Sequence, residues 1–452
     1  MTPDANDLCV FAIKRGNIES RFDCHFYLPS FQNIISTIKQ RKHTTLGEIA
    51  EFSSVSSDFS EFEDGVFDYL EISGIVLGLN QYKTSKTEVS EAPSRAKLKT
   101  QNDDIVISLT RPQRGAIAQI KKNGIIASTG FSIIHTVKEG IDKKWLLNTL
   151  LSRVCLQQML QRSSGGNYPA IIEEDLKKIY IPCIDYNVQL NMVFNLENRL
   201  NIYKKKTYAA NELITSLNHY ILSSLGIAEL GHNYRLVSAI RLLDVINDST
   251  FSPEYYHPER MSAIHTLELH QEIRTKKLSD IVRFQKDVVI SGKSNEEYLG
   301  LAGVESQTGE LSGIAEEAAG QAFVYQVGDV LYGRLRPYLN KVIVAETSGI
   351  CSTEFHVMRV IDENEIIPEY LAAIMRSPLI LAQTKHMMTG NTHPRISNDD
   401  VKNLYIPIPE IDVQREIASE LNKRRKEARK LKEEAEQEWA DAKAQFEKEL
   451  LG

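Results

Sequence analysis

The chain has 452 residues, 42% hydrophobic and 25% charged, with a net charge of −7; this excludes a single ordinary core and a disordered polymer, and makes overall charge a poor route to nucleic acid. No apolar run is long enough to cross a membrane, and the N-terminus (Met1 to Asp7) lacks the basic-then-apolar pattern of a signal peptide. Five scattered cysteines (Cys9, Cys24, Cys155, Cys183, Cys351) form no Cys-x-x-Cys pair, so neither a disulfide framework nor a zinc knuckle is expected, and the cytoplasm is the default compartment.

Residues 1–184 read as a mixed α/β module. Short β-branched runs at 105–107, 117–120 and 133–137, bounded by Gly, Asp, Asn and Pro, predict strands. Apolar residues at three- and four-residue intervals from Lys143 to Gln161 predict a helix. Between Lys83 and Lys122, nine basic residues stand against four acidic ones, the most basic stretch of this half. Residues 185–226 then carry a helical seam at Val193, Leu196, Leu200, Tyr203, Thr207, Ala210, Ile214, Leu217, Ile221 and Leu225, free of Gly and Pro until Gly226. Residues 227–409 read as a second module, with strands at 330–332, 341–344 and 355–358 and a helix from Pro368 to Lys385. A last helix in residues 410–452 has its seam at Ile417, Leu421, Ala428, Leu431, Ala435, Trp439, Ala442, Phe446 and Leu450.

The two modules are copies. Arg111-Pro112 recurs as Arg336-Pro337, Ile181-Pro182 as Ile406-Pro407 and Val188-Gln189 as Val413-Gln414, all displaced by 225 residues. Ser128-Thr129-Gly130-Phe131 answers Ser352-Thr353-Glu354-Phe355, and Gly166-Asn167 answers Gly390-Asn391, at a displacement of 224. Nearer the start of each copy, Phe26-Tyr27-Leu28-Pro29 matches Tyr255-Tyr256-His257-Pro258 at 229. A repeat of this length is a whole duplicated domain rather than a solenoid unit. The apolar seams must be covered, and duplicated helices can cover each other as an antiparallel coiled coil about a pseudo-two-fold axis. Such a helix from Val193 to Leu225 is about 50 Å long, against roughly 34 Å for a turn of B-DNA.

The candidate nucleic-acid contacts follow from side-chain shape. Arg111, Gln113 and Arg114 lie in a tight turn after a strand, and Arg and Gln match the edges of G and A in the major groove. The equivalent cluster in the second copy is Arg334, Arg336, Tyr338, Asn340 and Lys341, with His393 and Arg395 in a nearby Gly-Asn loop. Lys83, Lys86, Arg95 and Lys97 occupy a segment that differs between the copies, where different bases would be read. Each group also has a structural reading: surface turns, positive-φ corners, or a solvated loop. No P-loop, no Gly-rich cofactor loop and no tetrapeptide for amino methylation of a base is present, so no catalytic residue, metal ligand or resident cofactor is expected.

With these motifs in this order, twice, the chain resembles the specificity subunits of type I restriction–modification systems over nearly its whole length. The residues that carry the resemblance are Gly328-Asp329-Val330-Leu331-Tyr332-Gly333-Arg334-Leu335-Arg336-Pro337, and the run Gly390 to Val401 leading to Ile406-Pro407 and Gln414, with their first-copy partners. The resemblance implies two target-recognition domains, each reading half of a bipartite double-stranded DNA sequence, and paired helices that set the spacing and dock two modification (methyltransferase) subunits. It places S-adenosylmethionine in those partners, and ATP and Mg²⁺ in the restriction subunits. The first copy departs from the pattern: Ala170 stands where the second has Arg395, and Cys183-Ile184 replaces Ile408-Pro409. Two alternatives remain at this point: a specificity subunit serving a fused methylase–nuclease, and a coiled-coil scaffold without DNA binding.

Overall fold

The computed structural model describes residues 11–13, 16, 18, 21–228, 239–248, 251–270, 272–290, 297–318, 320–390 and 392–452. Cys9, Asn391 and the first residues of the chain lie outside them. The fold is mixed α/β, in two compact units: Met1–Lys204 with Ala435–Gly452, and Lys205–Glu434. Each unit holds one sheet-rich module together with a stretch of each long helix.

In the first unit an antiparallel sheet runs Ala50–Ser53, Phe131–Val137, Ile105–Ser108, Ile117–Gln119. Every residue of Ile105–Ser108 is buried, which explains an uninterrupted apolar strand instead of an alternating one. A second sheet orders Ser85–Glu88, Val66–Leu70, Ile125–Ser128 and Ala96–Lys99, with the middle pair parallel. The second unit repeats the first sheet as Val282–Gln285, Phe355–Val360, Val330–Gly333 and Val342–Val344. Its other sheet keeps the same centre: Gly349–Ser352 lies between Tyr298–Leu299, parallel, and Gln321–Tyr325, antiparallel. The fourth strand differs. Val288–Ile290 pairs with Gln321–Tyr325, whereas Ser85–Glu88 pairs with Val66–Leu70, so the copies finish this sheet on opposite edges. The segment that aligns poorly in sequence is therefore a real change of topology.

Each helix predicted after the strands is in fact two. Lys143–Leu151 and Arg153–Arg162 are separated by Ser152, and Pro368–Met375 and Pro378–Thr384 by Arg376 and Ser377. The residue before each second helix is extended, Ser152 at ψ 152° and Ser377 at ψ 156°. In the second copy Pro378 lacks the amide that a continuous helix would need; the periodicity alone hid the break.

The long helices span Tyr186–Ser224, beginning ahead of the seam, and Ile411–Leu451. Within each unit they run antiparallel. In the first unit the Tyr203 ring lies 6.0 Å from that of Trp439 and its hydroxyl donates to Glu436. In the second, Lys206 pairs with Glu434 at 2.8 Å and Arg424 reaches the Ser216 hydroxyl. Leu196, Trp439, Phe446 and Leu450 enter the core of the first unit, with Leu200 and Tyr203 packed against it. Leu217, Ile221, Leu225, Ile417 and Leu421 enter that of the second, with Ile214 packed against it; Leu431 is half-buried.

A buried glutamine fixes each helix to its module. Gln189, fully buried, donates to the carbonyls of Gly140 and Ile184 and accepts from the Asp142 amide. Gln414 does the same with Glu365, Pro409 and Ile367. A buried amide with three of its hydrogen-bonding positions met holds its neighbours in one geometry.

Candidate nucleic-acid interface

The two motif loops of each copy are distant in sequence and adjacent in space. Ile105–Ser108 ends in a short bend where Arg111 takes a left-handed backbone conformation (φ 49°, ψ 50°), followed by a 3-10 turn at Pro112–Arg114. Left-handed geometry is uncommon for a side chain with a Cβ and needs enforcement by its surroundings. Here the Arg111 amide donates to Pro169 O at 2.6 Å and the Ile171 amide to Leu109 O at 2.9 Å. Arg336 repeats this at φ 49°, ψ 63°, its amide on Pro394 O at 2.7 Å and the Ile396 amide on Arg334 O at 3.1 Å. Thr110 thus bridges Ala170, and Leu335 bridges Arg395. The Arg-Pro turn and the Gly-to-Pro loop form one composite corner, built twice.

The glycine of that loop is one position earlier in the first copy than sequence alignment places it. Gly165 and Gly390 share φ 96°, and a Cβ on either would crowd the carbonyl three residues on, Tyr168 O at 3.0 Å and His393 O at 3.3 Å. Gly165, not Gly166, is the counterpart of Gly390, so this loop shares the displacement of 225 found at Arg111 and Arg336. Tyr168 then stands where the second copy has His393, and the Arg111 guanidinium lies over the Tyr168 ring at 4.1 Å, with Nη2 donating to Asn167 O at 3.1 Å. Arg336 makes the matching bond to Thr392 O at 3.3 Å.

The side chains are committed differently. Arg395 closes on Glu354 with Nε and Nη2, at 2.7 to 3.0 Å; the carboxylate holds its pKa above the ordinary arginine value. The matching positions of the first copy are Gly130 and Ala170, so both partners of the ion pair are missing there together. Asn340 is not on the surface: it is buried, and its amide donates to Arg376 O at 2.5 Å and Gln307 Oε1 at 3.0 Å. It takes the left-handed corner (φ 56°) that Gly115 fills in the first copy, so it is corrected from a candidate DNA contact to a structural residue. Lys341 is half-buried with Nζ on Leu301 O at 2.7 Å. Tyr338 and His393 are exposed; Arg334 and Arg336 are half-buried, each with a buried, unpartnered Nε. In the first copy Arg114 is exposed and Gln113 half-buried with an unpartnered Oε1.

The basic segment of the first copy is partly neutralised from within. Lys86 and Lys122 both pair with Asp68, whose pKa they lower, and Lys99 pairs with Glu61. Lys83, Arg95, Lys97 and Lys121 are exposed. Lys86 lies on Ser85–Glu88, and Lys97 on Ala96–Lys99, the opposite edge of that sheet.

Sequence reasoning missed Glu354, Tyr168 and the buried carboxylates Asp104 and Asp329. The last two are equivalent; Asp104 meets His135 at 2.8 Å, and Asp329 holds Arg359 at 2.7 Å. The joint change of Glu354 to Gly130 and Arg395 to Ala170 was a signal available in the repeat. Among the described residues one group, His257, Glu259 and His386, brings three possible metal ligands within 4.8 Å of one another, a proximity that separation along the chain conceals. The two rings stack at 3.4 Å and 16°, in nearly parallel planes, and His257 Nδ1 already accepts from the Glu259 amide at 3.2 Å. The Lys385 ammonium lies 3.2 Å from Glu259. The arrangement is a helix-end ion pair.

Residues 272–438 match the family model of the type I restriction modification DNA specificity domain. A curated relative, the type I restriction enzyme EcoDI specificity subunit of Escherichia coli, is 27% identical over 118 residues, covering 25% of this chain and 26% of the relative; the match thus spans about a quarter of that relative's length. A solved chain described for the complex assembly and conformational transition of the type I R-M system shares the fold, covering 90% of this chain and 96% of its own at 17% identity and a TM-score of 0.53. The S subunit of a type I restriction–modification system from M. genitalium is 13% identical over 90% of this chain and 95% of its own, with a TM-score of 0.46. The resemblance to type I specificity subunits read from the sequence is borne out.

Proposed function

We propose that the chain is the non-catalytic DNA-specificity subunit of a type I restriction–modification complex, each module reading one half of a bipartite double-stranded target. The observation that carries this reading is the composite corner built twice, which presents Arg, Gln, Tyr and His side chains from an enforced backbone. Rigid presentation of such donors is what base-edge recognition needs. The different edge strands and the different corner residues support two modules with different base preferences.

The antiparallel helices fix the spacing and dock two methyltransferase subunits. Tyr186, Leu190 and Phe194 are exposed along one helix at four-residue spacing, which keeps them on one helical face. A solvent-facing apolar row of this kind marks a protein contact. The partners hold S-adenosylmethionine, and the restriction subunits ATP and Mg²⁺; they supply phosphate contacts that an acidic chain lacks. Methylome sequencing of cells expressing this chain with a cognate methyltransferase tests the proposal. A gapped, two-part methylated sequence is expected; a continuous site, or none with the partner present, would overturn it.

A further inference from the structure

The second unit contains a cavity of about 930 Å³ between the recognition module and the C-terminal helix. Its deepest charged group is Arg376, only 5% exposed. One Nη donates to Val342 O at 2.6 Å, and the buried Nε has no partner. Arg425, on the helix, faces the same space and also has a buried, unpartnered Nε. Among the described residues no carboxylate lies within 4.0 Å of either guanidinium; Glu310, also at the cavity, reaches Arg429 at 3.9 Å. Burial drives the pKa of Arg376 well below the ordinary arginine value, and the charge of Arg425 pushes it the same way. Glu310 offsets part of this charge for both arginines from beyond contact distance; two partly desolvated like charges with one such carboxylate between them remain costly to a fold.

The first copy shows that the fold does not require them. At the 225-residue displacement, Arg376 corresponds to Leu151 and Arg425 to Leu200, and both leucines pack against the apolar core of that unit. The second copy has arginine at both positions. It also has Gly309 against the guanidinium, where a Cβ would fall 2.3 Å from Arg376 Nη1. Leu299, Tyr325, Leu331 and Ile343 furnish apolar wall, while Glu297, Glu316, Glu346 and Glu369 are exposed where they line the cavity.

We infer that this cavity is a binding site for a small organic anion, a carboxylate or phosphate head held between Arg376 and Arg425 with an apolar body against the leucine and isoleucine wall. Guanidinium groups form charge-assisted, planar contacts with either head. The exposed glutamates disfavour polyanions such as a nucleic-acid strand, so the site is separate from target reading.

The test uses the purified full chain. Its melting temperature is followed against inorganic phosphate and, separately, hexanoate, each compared with chloride at equal ionic strength. A saturable rise with at least one probe is expected, and which one responds assigns the head group. Arg425→Gln should weaken that binding at least about tenfold, the loss of a charged hydrogen bond. The double variant Arg376→Leu with Arg425→Leu, which installs the residues of the first copy, should abolish it. Should the double variant not fold, Arg425→Gln alone decides. No saturable rise with either probe, or an equal rise in wild type and variants, overturns the inference.

Discussion

Arg395 shows why a side chain suited to base reading is not thereby free to read. Its guanidinium is oriented by Glu354, which leaves the outer Nη1, donating to His393 O at 3.3 Å, as the less committed edge. We predict that Glu354→Gln, which removes the charge but keeps the shape, makes the methylated sequence degenerate at one position of one half-site. An unchanged motif would make the pair purely architectural. His356 belongs to the same corner. Burial, then the positive charge of Arg334, pushes its pKa down to about 4, so it folds neutral. An unfolded chain takes up its proton near pH 6.5. Stability is therefore complete above that value and declines as pH falls from about 6.5 towards 4, by about 3 kcal/mol in total. Denaturation of wild type and His356→Gln across this range checks it: the variant should lose that portion of the slope, and parallel curves would refute it.

Among the elements, the long helices depend on how their first turns are fastened. Gln189 and Gln414 each join a long helix to a carbonyl just ahead of its module's Lys143–Leu151 or Pro368–Met375 helix and to the chain just ahead of their own. Replacing either with Ala strands buried backbone groups, at a cost of about 2–4 kcal/mol, to be read from urea unfolding; a loss below about 0.5 kcal/mol would show that water replaces the amide. Both glutamines were visible in the repeat as Val-Gln pairs, yet nothing in the pattern marks them as buried, since their partners lie as far as 49 residues away. The seams were legible because burial on a helix recurs every three to four residues. The broken helices and the exchanged edge strand were not, because periodicity does not report a local change of ψ or the choice of neighbour.

At the scale of the whole molecule, duplication builds one module twice with shared engineering. Exchanging residues 1–184 for those of a relative should alter one half of the methylated motif and leave the other and the spacing untouched, as read by methylome sequencing; changes in both halves would refute independent reading. The sequence by itself determined the duplication, the α/β modules, the helical seams and the family likeness, because these rest on residue spacing and apolar periodicity within a copy. Tertiary structure alone decided which charged residues are committed. It sent Asn340 inward, tied Arg395 to Glu354, set Lys86 and Lys122 against Asp68, and placed Arg376 and Arg425 around one cavity. The physical reason is that the fate of a charge depends on partners and burial brought from across the chain, and no local pattern encodes those.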